Sequence, residues 1–480
     1  MKSVDTMLLE SRLNFRKTHL ALHEERVAAN GHGARNGSEI KNGHGAPADA
    51  EVAPTAVDPE AGDEAEMPGP ECRPRSSAET GVRRSILEDL TLKTLYVSGA
   101  LSTLELARQT RLSLNVTDEL FERLKSGMLC QVTGMKGSVP TIALTTQGRT
   151  RAIELLMQSQ YAGPAPVSLE TYVRQVHRQS VRNMIVRRAD VERVFADMVI
   201  DARLLVQIGT ALNSGSSIFV HGPSGVGKTA IAETMSRVLA EDDVWIPHAV
   251  EVDGQVIAVY DPLVHEKVES AGPEMNDERW VRCRRPSVLV GGELTIEMLD
   301  LQFNTTTRFY TGPVQMKANN GVLIVDDFGR QRVRPEELLN RWVVPMDRRI
   351  DFLTMAGGRK IEVPFEMLVV FATNMNPEEL VDAAFLRRMQ TKIRVDTATD
   401  EQFCEIFRRV AGNRGLAIED RVLRDLIAVI RDALHQPLRG CQPRDLVNQV
   451  CWAARYEDKE PQLDHASLMT AVEAYFLPQS

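Results

Sequence analysis

One octapeptide constrains this chain more than any other stretch. Gly222-Pro-Ser-Gly-Val-Gly-Lys-Thr229 follows directly on the apolar Ile218-Phe-Val and leads into Ala230-Ile-Ala-Glu-Thr-Met-Ser-Arg-Val-Leu239, whose pattern is helical. A glycine-rich turn ending in Lys-Thr between a strand and a helix is a phosphate-binding loop in the context it requires. Glycines at 222, 225 and 227 let backbone N–H groups close around phosphate oxygens at a helix N-terminus, where the dipole also favours an anion. Pro223, Ser224 and Val226 complete the cradle. Lys228 offers a point charge to the β- and γ-phosphates, and Thr229 can place its hydroxyl on Mg²⁺.

Two further apolar runs extend the pattern. Gly321-Val-Leu-Ile-Val-Asp-Asp327 is an uninterrupted apolar strand ending in two acids, as expected of a buried parallel strand whose carboxyl end faces the nucleotide. Asp326 would bind Mg²⁺ through water, and Asp327 would orient or deprotonate the attacking water. Met367-Leu-Val-Val-Phe-Ala ends in Thr373-Asn374, whose amide can hydrogen-bond both that water and a γ-phosphate oxygen. Phe385-Leu-Arg-Arg-Met389 and a strand at Lys392-Ile-Arg-Val follow, and Gln442-Pro-Arg-Asp-Leu446 opens a helix in a helical C-terminal segment.

Taken together these elements resemble the AAA+ ATPases, in order and in setting, over about residues 185 to 478. The resemblance implies a P-loop α/β core, a parallel sheet sandwiched by helices at 185–396, with a helical lid at 397–480. Walker A is 222–229, Walker B ends at Asp326-Asp327, sensor 1 is Asn374, the arginine finger is Arg388 or its neighbour Arg387, and sensor 2 is Arg444. ATP and Mg²⁺ are the implied cofactors, and a homo-oligomeric ring the implied assembly. The hairpin pattern at Ile350–Phe365 is similar to the presensor-1 branch, which includes the MoxR and magnesium chelatase ATPases. Two departures stand out. The second Walker B acid is Asp where the family usually has Glu, one methylene longer, so slow hydrolysis is expected. The 97 positions between Thr229 and Asp326 exceed one helix and one strand, and hold a hairpin pattern at Asp253-Gly254 and the basic Arg282-Cys-Arg-Arg285, read as a solvated face.

Upstream, Leu8, Leu9, Leu13, Leu20 and Leu22 suggest a short amphipathic helix within 1–27, and the Ala-, Gly-, Pro- and acid-rich stretch to residue 82 a disordered linker. Residues 83–160 then read helix, helix, helix, hairpin, helix, which resembles a winged helix-turn-helix domain. Residues 161–184 read as a connector helix, part of a basic stretch with Arg174, Arg178, Arg182, Arg187 and Arg188. The chain carries 57 Lys and Arg against 66 Asp and Glu, a net charge of −9, so no global field holds nucleic acid. The third helix of the winged unit holds Asp118, Glu119 and Glu122 against Arg123 and Lys125, so docking on a protein is favoured, with DNA as the alternative. No apolar run reaches the ~18 residues of a membrane span, and the six scattered cysteines read as reduced thiols, so a cytoplasmic protein is expected.

The functional expectation is an Mg-dependent ATPase that works at subunit interfaces to remodel a protein client. Two alternatives stand beside it: a STAND-like switch that holds ATP, and a DNA-binding regulator. Asn374 and Arg388 favour the first, because a switch that rarely hydrolyses needs neither a water-positioning amide nor a finger in trans. No Asn-Lys-x-Asp guanine signature is present.

Overall fold

The computed structural model describes residues 69–269, 276–380, 386–387 and 389–476. The expected helix within 1–27, the linker as far as residue 68, and Arg388 lie outside the described residues.

The three apolar runs form a parallel sheet of five strands. Its order across the sheet is Ser287–Val290, Val322–Val325, Leu368–Thr373, Ile218–His221, Thr391–Arg394. Side chains alternate between two apolar layers, so both faces must be covered. Phe219, Leu323, Val325, Val369 and Phe371 face a layer that contains Trp342, from the helix Pro335–Arg348, and Phe365. Ile218, Val220, Val322, Ile324 and Val370 face the opposite layer with Ile208, Ile231 and Met235 of the helices Ala202–Ser214 and Lys228–Leu239. The result is a P-loop α/β sandwich followed by a helical C-terminal region. Ile218–His221 is first of the sheet's strands in chain order yet lies between the last two, which puts the loop after it in the crevice where such sheets bind ligands.

The C-terminal region comprises the helices Asp400–Gly412, Asp420–Ala428, Gln442–Tyr456 and His465–Tyr475, with a π-helical turn at Val429–Ala433. Phe403, Phe407, Leu423, Leu446 and Leu468 fill its core. Thr399 begins it with a reciprocal capping box to Gln402, the sequence signal for a helix start.

At the N-terminal side, helices Arg84–Ser98, Thr103–Thr110 and Leu114–Ser126 precede the hairpin Cys130–Lys136/Val139–Leu144 and the helix Thr146–Gln158. Leu101–Ser102 adds a third short strand to the hairpin. Ser102, Ser113 and Thr145 cap the three later helices through their hydroxyls. This unit is not free of the core. Leu87, Leu90, Val116 and Leu120 share one buried cluster with Ala249 and Val256, from the hairpin Ala249–Val252/Gln255–Ala258 that turns at Asp253-Gly254. Beside that cluster, buried Arg279 pairs with buried Asp277 at 2.7 Å and donates to the carbonyls of Thr80 and Pro166.

Two sequence expectations are corrected. Residues 161–184 are not one helix: Val167–Ser168 pairs with Val250 and Glu251 as a strand, and the helix spans only Leu169–Arg178. Ser180 ends it by donating to Glu366 Oε2 at 2.6 Å and accepting from the Arg182 N–H. Arg188 opens a separate helix to Val194, so the five arginines share no common face. Nor is Arg282–Arg285 a uniformly solvated face. Arg285 is buried and donates to the carbonyls of Gln179 and Asn320, while Arg282 and Arg284 pair with Asp243 and Glu266.

The Arg279–Asp277 pair generates a prediction. Removing one partner of a buried pair leaves the other charge uncompensated, at a cost of roughly 3–5 kcal/mol. Asp277→Ala should therefore lower the thermal unfolding midpoint markedly, and limited proteolysis should cut faster near Thr80 and Pro166. A midpoint within a degree of wild type would show that the pair does not hold the N-terminal unit to the core.

Candidate functional site

The strand Ile218–His221 ends where the sheet's last strand also ends, and the two backbones meet there. The Val395 N–H donates to the His221 carbonyl at 2.9 Å, and a Cβ on Gly222 would stand 2.0 Å from the Val395 carbonyl oxygen. Only glycine fits. Gly222, Gly225 and Gly227 all have positive φ, so the loop curls back and delivers Lys228 and Thr229 into the first turn of the helix Lys228–Leu239.

Lys228 is nearly buried. Its ammonium donates to the Pro223 carbonyl at 2.7 Å and to Asn374 Oδ1, which brings the end of the strand Leu368–Thr373 to the loop. Burial pushes its pKa down, opposed by the carboxylates of Asp327 and Asp326. The Thr229 hydroxyl lies 2.9 Å from both carboxylate oxygens of Asp326, so the two side chains assigned to Mg²⁺ are already together. Asn374 Nδ2 donates to Asp327 Oδ1 at 3.1 Å. These five side chains come from two strand ends and one helix start, and they meet only because the strands that lead to them are adjacent and parallel. A hydroxyl and a carboxylate oxygen set suits a hard divalent cation with retained waters, so Thr229 and Asp326 fit Mg²⁺.

The groups open onto a cleft of about 850 Å³. Its lining is partly apolar, with Met198, Val199, Ile200 and Val410, and includes Gly440, Cys441 and Arg444 from the C-terminal region. Arg444 is exposed and pairs with Asp445, its neighbour in the same helix, at 3.0 Å. Arg387 is exposed and does not line the cleft. The lid touches the loop directly: the Cys441 N–H donates to the Gly225 carbonyl at 3.0 Å, and a Cβ on Gly225 would meet the Cys441 sulfur at 2.6 Å. Sequence reasoning missed this contact and the Met198–Ile200 wall. The isolated Gly440-Cys441 just before the helix was its only available signal.

Residues 399–474, within the helical C-terminal region, match the model of a Domain of unknown function (DUF8689). No curated protein matches the chain. Among solved structures, NtrX from Brucella abortus in complex with ATP is similar at 17% identity and a TM-score of 0.36, over 57% of this chain and 56% of NtrX. The chain thus spans little more than half of the NtrX chain it matches. The Thermotoga maritima RuvB Holliday junction branch migration motor is similar at 14% identity and a TM-score of 0.33, over 57% of this chain and 69% of RuvB. Domain III of the Thermotoga maritima replication initiation protein DnaA is similar at 12% identity and a TM-score of 0.34, over 60% of this chain and 98% of that domain. Among the described residues, no helix is long and apolar enough to cross a membrane.

The loop–lid contact can be tested at Gly225. Its φ of +80° strains any residue with a Cβ, and the Cys441 sulfur occupies the space that Cβ would need. Gly225→Ala should cost roughly 1–3 kcal/mol and weaken nucleotide binding at least tenfold, as read by calorimetry and by titration with a fluorescent ATP analogue. Unchanged affinity and stability would mean that the loop does not need the geometry described.

Proposed function

We propose that this chain is an Mg-dependent ATPase of AAA+ type that binds ATP between the α/β core and the helical lid. The observation that carries the reading is the convergence of Lys228, Thr229, Asp326, Asp327 and Asn374 on one cleft that Arg444 of the C-terminal region also lines. In this reading the loop backbone and Lys228 hold the phosphates, and Thr229 and Asp326 hold the metal, which neutralises phosphate charge when bound. Asp327 takes the proton of the attacking water or orients it, while Asn374 leaves Lys228 to hold that water against the γ-phosphate. The apolar wall at Met198–Ile200 receives the base. Arg444 turns from Asp445 to the phosphates as the lid closes, and Arg388, or Arg387, reaches a neighbouring subunit's site in a head-to-tail ring.

The client is a protein. Supporting this, the third helix of the winged unit buries Val116 and Leu120 against the core side of the cluster and exposes Asp118, Glu122, Arg123 and Lys125, so its free face is charge-balanced and offers phosphate no net attraction. A winged helix-turn-helix unit fixed in this way serves as a handle for the motor rather than as a DNA reader, and it operates in the cytoplasm.

Two experiments test the reading. Lys228→Ala should abolish ATP binding, and Asp327→Asn should keep binding but stop turnover, because Asp326 and Thr229 still hold the metal. Equal ATP affinity for wild type and Lys228→Ala, or normal hydrolysis by Asp327→Asn, would sink the assignment. For the assembly, turnover per subunit should rise with protein concentration, and mixing Arg388→Ala with Lys228→Ala subunits should restore part of it. Absence of rescue in variants that still assemble would point to Arg387 or to a switch without a finger.

A further inference from the structure

Asp327 is exposed, so packing does not hold it, yet it has φ +48°, in the left-handed region. Its conformation must be held by its neighbours. The Asp326 N–H donates to the Val290 carbonyl and the Phe328 N–H to the Ala372 carbonyl, each at 2.8 Å, so the residues on either side are tied to adjacent strands. The side chain of Gln331 closes the turn between them. Its Nε2 donates to the Asp326 carbonyl at 2.7 Å, and its Oε1 accepts from the Gly329 N–H at 2.8 Å. One amide thus grips the peptide before Asp327 and the peptide two residues after it. Gly329, at φ +102°, has no room for a Cβ, which would stand 2.7 Å from Leu380 and 3.1 Å from the sulfur of Met375, the residue after Asn374.

We propose that Gln331 is a positioning residue for hydrolysis: it holds the Asp326–Asp327 peptide in the orientation from which the Asp327 carboxylate meets Asn374 and the attacking water. The inference rests on the ATPase reading above. Gln331 does not itself line the cleft; its side chain bonds the backbone of Asp326 and Gly329 and so acts through the turn that carries Asp327. Both of its bonds are needed, because a carboxylate in its place would accept from Gly329 but face the Asp326 carbonyl with a second oxygen.

The test uses the full chain with Gln331→Met, which keeps length and loses both bonds, and Gln331→Glu, which loses the donor. Each is measured for ATP affinity, KM and single-turnover rate. Both variants should lose about tenfold or more in rate with affinity and KM within twofold of wild type. A loss carried in KM or in ATP affinity, or an unchanged rate, would overturn the proposal. A crystal structure of Gln331→Met gives a readout independent of turnover: Asp327 should leave the left-handed region and its bond to Asn374. If wild type binds ATP without hydrolysing it, the ATPase reading fails, and the structure alone decides whether Gln331 holds Asp327. An unmoved Asp327 would refute that role.

Discussion

The cleft depends on one close passage of backbone against backbone, where Gly222 leaves its strand against the carbonyl of Val395. The bond from Val395 N–H to the His221 carbonyl fixes the two strand ends at the same height. One of those strands continues into the phosphate loop. The other leads within a few residues to Thr399, which caps the first lid helix, while the Ala398 N–H donates to the Leu438 carbonyl and so returns the lid to the sheet. Loop and lid therefore hang from a common point, and the Cys441–Gly225 bond closes the circuit on the far side. A shift of the loop on phosphate binding has no slack to absorb it, because close-packed and hydrogen-bonded contacts repack rather than stretch. On the proposed ATPase reading, lid motion would follow from this connectivity.

The polar groups of the cleft are mutually satisfied. Lys228 is bonded to Asn374, Asn374 to Asp327, and Thr229 to Asp326, so few of these partly buried groups lack a partner. This matters energetically, since an orphaned buried polar group costs roughly 1–3 kcal/mol. A nucleotide must replace these bonds with better ones. Phosphate oxygens meet that requirement at Lys228, whose ammonium is disfavoured by burial and gains a denser negative partner, and a divalent cation meets it at Thr229 and Asp326. On the proposed reading Asn374 would then be released to the γ-phosphate side, coupling occupancy of the loop to the setting of Asp327.

Much of this arrangement was legible in the sequence because local signals and the global fold agree. The strands at 218, 322 and 368 read as buried on both faces since each is an unbroken apolar run, and the loop glycines mark the only residues able to take the required φ. What was not legible depends on distant partners. Arg285 looks like part of a basic surface run until the carbonyls of Gln179 and Asn320, which lie far away in sequence, come to surround it. The basic helix through Arg188 fails because Ser180 has an alternative partner in Glu366, which no window of sequence contains. Gln331 carries no motif, since its role exists only once Asp327 and Gly329 adopt positive φ.

The placement of the N-terminal unit follows the same logic. A hairpin with apolar Ala249 and Val256 on one face needs cover, and helices with Leu87, Leu90, Val116 and Leu120 supply it. Burial of that surface stabilises by roughly 25 cal/mol per Å², yet such contacts are non-directional and would allow sliding. The Arg279–Asp277 pair supplies direction, because the guanidinium can satisfy the carbonyls of Thr80 and Pro166 together in a single orientation only. The strand pairing of Val167–Ser168 with Val250 and Glu251 adds a register to the same junction. The helix Leu114–Ser126 is therefore committed to the core on its apolar side, while Asp118, Glu122, Arg123 and Lys125 stay exposed on the other. Strand pairing, a shared apolar cluster and the Arg279 bonds together join this unit to the core at three kinds of contact, so displacing it would have to break all three at once.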